Sequence, residues 1–175
     1  MNPYGERINE NTVRFERLLP GPIERVWDYI VDPEKRKRWF CAGDFDLRPG
    51  GKAEFHFDHR RLTDEKPPKD FAQYGGENSL EGTVIEADAP HLLVFDWPDP
   101  TGADTRVTIE LEPAGDRVRL TLTHENLCSR DALIQTSSGW HGHLDLLDAV
   151  LTTISVPGFW SVFEKLLGDY AKRFK

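Results

Sequence analysis

The stretch that most constrains this chain is residues 136–154, TSSGWHGHLDLLDAVLTTI. Trp140, Leu144, Leu147, Leu151 and Ile154 stand at i, i+4, i+7, i+11 and i+14. At 100° per residue they fall on one stripe, which predicts an amphipathic helix of about five turns. What precedes it reads mainly as strand. Residues 81–87, 91–97, 104–112 and 117–125 alternate, with Leu93, Phe95 and Trp97, then Val107, Ile109 and Leu111, then Val118, Leu120, Leu122 and His124 on the apolar side. Turn chemistry at 88–90, 98–102 and 113–116 joins them into an antiparallel meander with one apolar face. A stripe of that length and a face of that kind predict an α+β domain in which the helix lies against the sheet. Any pocket between the two has this helix as one wall, with His143 beside the stripe and His141 further round.

The remaining chain fits the same plan. Residues 1–12 read as a flexible leader, and 13–175 as a single domain. Val13, Phe15 and Arg17 alternate with Arg14, Glu16 and Leu18 as a first strand, stopped at Pro20-Gly21-Pro22. Ile23, Val26, Trp27 and Ile30 mark a short helix, and a second is expected from Pro33 to Trp39. Its basic string, Lys35 to Arg38, is read as a solvated face, since aromatic interleaving is missing. Strands are expected at 44–47 and 52–58, the latter with Phe55 and Phe57 on one face and Glu54, His56 and Asp58 on the other. Residues 59–79 hold Pro-Pro, Gly-Gly and many charges, and read as a long excursion. It is either a mobile connection or a lid, with Phe71 and Tyr74 able to fold back over a cavity. Pro157-Gly158 breaks the chain before an extra terminal helix, 159–174, striped by Phe159, Phe163, Leu166, Leu167, Tyr170 and Phe174. Such a stripe needs cover from its own domain or from a second copy, so a homodimer is a possible state.

Composition excludes several classes. A net charge of −8 argues against nucleic acid and anionic membrane partners. No apolar run approaches the roughly 20 residues of a membrane span, and the polar N-terminal stretch lacks a signal-peptide core, so no membrane insertion and a cytoplasmic location are expected. Cys41 and Cys128 form no CxxC spacing. They are read as reduced thiols, and no metal or cofactor motif stands out. His141 and His143 diverge by about 200° around a helix, a poor arrangement for holding one ion.

No GxSxG or HExxH motif is present. Asp145 and Asp148 point away from the stripe and are read as solvated. His124 is the most informative residue, because alternation puts a polar ring on an apolar face. It either bonds a ligand or is a histidine satisfied near its strand end. Trp27, Trp39, Trp97 and Trp140 line a pocket or fill a solid core; both readings stand. No catalytic constellation emerges.

The order of strand, two short helices, meander and long helix resembles the START-like (SRPBCC) superfamily, the helix-grip or birch-pollen-allergen-like fold. Several stretches resemble its branch named for the activator of heat-shock protein 90 ATPase. They are 22–27 (PIERVW), 32–40 (DPEKRKRWF), 47–52 (LRPGGK), 81–88 (EGTVIEAD), 92–97 (LLVFDW), 120–124 (LTLTH) and 139–147 (GWHGHLDLL). The resemblance covers about 13–175. It implies a curved sheet gripping a long C-terminal helix around an apolar cavity. By position, Phe57, Phe95, Trp97 and His124 from the sheet and Trp140, His143, Leu144 and Leu147 from the helix would be ligand-binding. The co-chaperone of that name carries a separate domain ahead of its START-like domain. About 12 residues precede the first strand here, so that separate domain is expected to be missing, which argues against chaperone activation.

Three functions follow as expectations. The first is binding of a hydrophobic or amphipathic small molecule without obvious catalysis. The second is a polyketide cyclase or aromatase-like enzyme using His124 or His143 as general base. The third is a stress-related, co-chaperone-like interaction module using the stripe of helix 159–174.

Overall fold

A computed structural model describes residues 2–98, 104–155 and 158–175. The expected turn at 98–102 and the break at Pro157 therefore lie largely outside the described residues. Seven antiparallel strands form one sheet in the order β1-β2-β7-β6-β5-β4-β3. They are β1 (Glu6–Asn9), β2 (Thr12–Pro20), β3 (Lys52–Asp58), β4 (Glu77–Asp88), β5 (Leu92–Pro98), β6 (Asp104–Ala114) and β7 (Arg117–Glu125). The helices are α1 (Ile23–Val31), α2 (Pro33–Arg36), α3 (Arg130–Thr152) and α4 (Phe159–Arg173). This is the helix-grip α+β architecture. The register of β4 on β5 shifts between Val84 and Glu86, and such a bulge bends and twists the sheet around what it faces.

Alternation places the strand core as expected: Val13, Phe15, Phe55, Leu93, Phe95, Val107, Ile109, Leu111, Leu120 and Leu122 are buried. They meet Leu133, Trp140, Leu144, Leu147 and Leu151 of α3 in one cluster. Helix α3 begins six residues before the expected start and ends two before the expected end. Ser129 caps its N-terminus by accepting from the Ala132 N–H, the usual role of a serine there. At the other end Thr153 turns left-handed (φ 59°) and its N–H bonds the Ala149 carbonyl. Ile154 therefore leaves the stripe and is 65% exposed.

Three further expectations are corrected. Residues 1–12 are not a loose leader where described: Glu6–Asn9 pairs with β2, the Gly5 N–H donates to the Tyr170 hydroxyl, and the Tyr4 hydroxyl donates to Asp169. The segment 44–47 makes only an isolated bridge, Phe45 to Ala53. The basic string 35–38 is not wholly solvated. The Arg36 side chain turns inward, donates to the Ile30, Val31 and Gly43 carbonyls, and lies 3.8 Å over the Phe45 ring. The α4 stripe is covered by its own domain: Phe159, Phe163, Leu166, Tyr170 and Phe174 are buried in the same cluster as α3. No helix among the described residues is long and apolar enough to cross a membrane.

Candidate functional site

Between the sheet, α3, α4 and the 59–76 excursion lies a cavity of about 510 Å³. The sheet contributes Phe57, Leu80, Trp97 and His124; α3 contributes Gly139, Trp140 and His143; α4 contributes Phe159, Trp160 and Phe163. The excursion folds into two 3-10 segments, His59–Arg61 and Lys69–Tyr74, and brings His59, Phe71 and Tyr74 to the wall. Phe71 packs edge-on against Phe163 at 4.9 Å. The excursion is also tied to α4 through Glu65, whose carboxylate accepts from the Ser161 N–H (2.9 Å) and hydroxyl (2.7 Å). Those bonds hold the Glu65 carboxyl below its ordinary pKa.

Of the eight residues placed in a site from the sequence, five meet at this cavity: Phe57, Trp97, His124, Trp140 and His143. Phe95, Leu144 and Leu147 lie outside its wall, buried in the packed core. Alternation and the helical stripe identify which side chains face inward, and only part of that inward surface is left uncovered. Trp97 and Trp140 line the cavity, whereas Trp27 and Trp39 belong to the core. Sequence reasoning missed Phe40, His59, Gly139 and Trp160. Gly139 is the clearest case. Apart from its chain neighbours and the backbone of its own helix, no heavy atom lies within 4 Å of the position its Cβ would take, so the glycine leaves open space at the α3 wall.

His124 is held by the protein. The Trp140 indole N–H donates to Nδ1 at 3.0 Å. An indole nitrogen can only donate, so Nδ1 accepts and Nε2 carries the hydrogen. Nε2 meets the Thr105 hydroxyl at 2.8 Å, which in turn donates to the Trp97 carbonyl at 2.9 Å. A buried relay thus joins β5, β6, β7 and α3.

His143 is arranged differently. Its Nδ1 lies 2.8 Å from the Trp39 carbonyl, and a carbonyl only accepts, so the hydrogen sits on Nδ1. Nε2 keeps its lone pair on a ring in the cavity wall. Burial, and then the neighbouring His59, bring the His143 pKa down to about 3. The two rings are 5.4 Å apart. Burial also lowers the His59 pKa, and the buried Nδ1 of His59 has no partner among the described residues.

His141 serves elsewhere. Its Nδ1 meets the Tyr170 hydroxyl at 2.9 Å, and Nε2 lies 3.5 Å from Asp145. Asp145 is therefore not free in solvent as expected; it pairs with the inward-facing Arg17 of β2 at 3.2 Å. Burial raises its pKa while Arg17 opposes that. Asp148 is half-buried, with its Oδ1 covered and without a partner among the described residues. Cys41 is buried and Cys128 exposed, and both are free thiols. Burial pushes the Cys41 thiol up to about 12, which removes it as a nucleophile.

The sequence profile described as Activator of Hsp90 ATPase homolog 1-like protein matches residues 20–152. A solution structure of a Bordetella parapertussis protein is 39% identical at a TM-score of 0.84, covering 98% of this chain and 91% of that one. The crystal structure of CalU16 from Micromonospora echinospora is 20% identical at a TM-score of 0.72, covering 98% and 94%. A Mesorhizobium loti protein is 20% identical at 0.64, covering 83% and 99%. The last two likenesses concern the fold alone. No curated protein matches the chain.

Proposed function

Because this chain belongs to the family of Activator of Hsp90 ATPase homolog 1-like proteins, we propose that it works as a cytoplasmic binding module for a hydrophobic small molecule. The observation that carries this reading is the cavity of about 510 Å³ with its largely aromatic wall, which lies in the size range of small-molecule sites. Apolar surface left open to water inside a domain is costly, and an occupant that covers it gains that burial. Phe57, Trp97, Trp140, Phe159 and Phe163 would make the contact, with the excursion as cover.

Three observations weigh against the other readings. An enzyme using His124 as general base would have to break its bonds to Trp140 and Thr105 first. One using His143 would rely on a ring whose pKa burial brings down to about 3, which makes it a weak base. An interaction module built on the α4 stripe would have to expose residues that the domain already covers.

The test uses the neutral fluorescent probe N-phenyl-1-naphthylamine. The wild-type protein is expected to bind it saturably at one site, and a Gly139→Leu variant, which fills the open space at the α3 wall, to lose most of that binding while remaining folded. Unsaturable binding, or equal binding by the two proteins, would sink the proposal. Native mass spectrometry of freshly purified protein would then name any natural occupant.

A further inference from the structure

The cavity wall is mostly aromatic, and its uncharged polar side chains include Asn78, Ser129, Gln135 and Thr136. The charged side chain among the described lining residues is Asp131, at the start of α3. No lysine or arginine is among them. Deeper in, His143 is only 5% exposed and His59 only 8%. The Trp39 carbonyl takes the Nδ1 hydrogen of His143 and so fixes its tautomer. Nothing among the described residues donates to Nε2. Phe40 and Phe159 pack on the same ring at 5.0 and 4.7 Å, which holds it in place. The result is a fixed acceptor on a buried ring of an aromatic cavity wall, to which no described residue donates.

An acceptor on a buried ring, to which no described residue donates, is a specificity element. A ligand that supplies an O–H or N–H gains a hydrogen bond, and one that cannot leaves the lone pair desolvated. A carboxylate fares worse still, since it brings a charge to a wall without a described cation and meets a second acceptor. Resting on the binding role proposed above, we infer that the ligand is a neutral, largely aromatic molecule bearing a hydroxyl or N–H group that donates to His143 Nε2. Fatty acids and other free carboxylates are excluded from this class.

Calorimetric titration with 2-naphthol, 2-methoxynaphthalene and dodecanoate tests this. The two naphthalenes share a ring system and differ in the donor. In wild-type protein 2-naphthol should bind about tenfold more tightly than its methyl ether, the ratio for one desolvated hydrogen bond, and dodecanoate more weakly than either. The variant is His143→Asn. Its side-chain amide N–H can keep the bond to the Trp39 carbonyl, while the acceptor at the Nε2 position is removed. It should bind the two naphthalenes alike. A wild-type readout that does not depend on the variant is the ring nitrogen spectrum of ¹⁵N-histidine-labelled protein. The Nε2 signal of His143 should shift on adding 2-naphthol and stay put on adding the ether. Equal binding of both naphthalenes to wild type, with an unmoved Nε2 signal, overturns the donor requirement and leaves the cavity reading standing. Tightest binding by dodecanoate overturns the neutral class. If none of the three binds, the cavity reading and this inference fall together.

Discussion

His124 and Thr105 show how one side chain is oriented by bonds in series. Trp140 decides which nitrogen of His124 accepts, and the Thr105 hydroxyl passes the chain on to the Trp97 carbonyl. Thr105 is 1% exposed, so water cannot readily replace a missing partner. Thr105→Val keeps the shape and removes the hydroxyl. It should cost about 1–3 kcal/mol in unfolding free energy measured in urea, the range for a broken buried hydrogen bond. A change within about 0.5 kcal/mol, the usual effect of a harmless surface substitution, would mean that the relay contributes nothing to stability. The sequence alone raised the question that this relay answers. An inward histidine on an apolar strand face had to be bonded to something, and alternation could not say whether the partner was ligand or protein. The partners come from positions 105 and 140, and their meeting depends on sheet register and on how α3 crosses the sheet.

At the scale of elements, the periodic segments were legible and their ends were not. The stripe of α3 was readable from Trp140 to Leu151 because each of those positions faces the core. Its first two turns were not, because their signal is the Ser129 cap rather than periodicity. Strands β5 to β7 followed their alternation. Strand β1 lacks such a pattern, since its four residues are mostly exposed, and its place depends on bonds from Tyr4 and Gly5 to α4. The excursion before β4 is a similar case. Glu65 joins it to the first turn of α4, satisfying a backbone N–H that the helix itself cannot. The Glu65→Ala variant should therefore loosen residues 59–76 while leaving the sheet intact. Amide hydrogen exchange in that segment is expected to speed up about fivefold, consistent with loss of a helix cap. Exchange at the wild-type rate would show that the aromatic contacts of Phe71 hold the excursion without Glu65.

For the whole molecule the decisive feature is how many histidines the fold keeps away from protons. Burial lowers the pKa of His59, brings His141 to about 4 and His143 to about 3, each from an ordinary 6.5. For His141 the charge of Arg17 adds to burial, with Lys165 and Arg173 behind it and Asp169 opposing. Below about pH 6.5 the unfolded chain takes up these protons and the folded chain does not. Stability from this source is therefore complete above pH 6.5 and is lost as pH falls toward 4, and further toward 3. Each such histidine contributes a slope of up to about 1.4 kcal/mol per pH unit. Lowered carboxyls, including Asp46, Asp58 and Asp169, act in the same direction but only below their ordinary values near 4. Asp145, raised by burial, acts in the opposite direction. The interval from pH 6.5 to 4.5 thus reports mainly on the histidines. Unfolding free energies measured in urea across that interval should fall steeply for wild type. The His143→Asn variant, which has one fewer group to protonate, should fall less steeply by about one histidine's slope. A flat wild-type profile would mean that the folded protein accepts the protons. The ring of His143 would then be hydrated, and an acceptor already served by water would exert little preference for a ligand that donates.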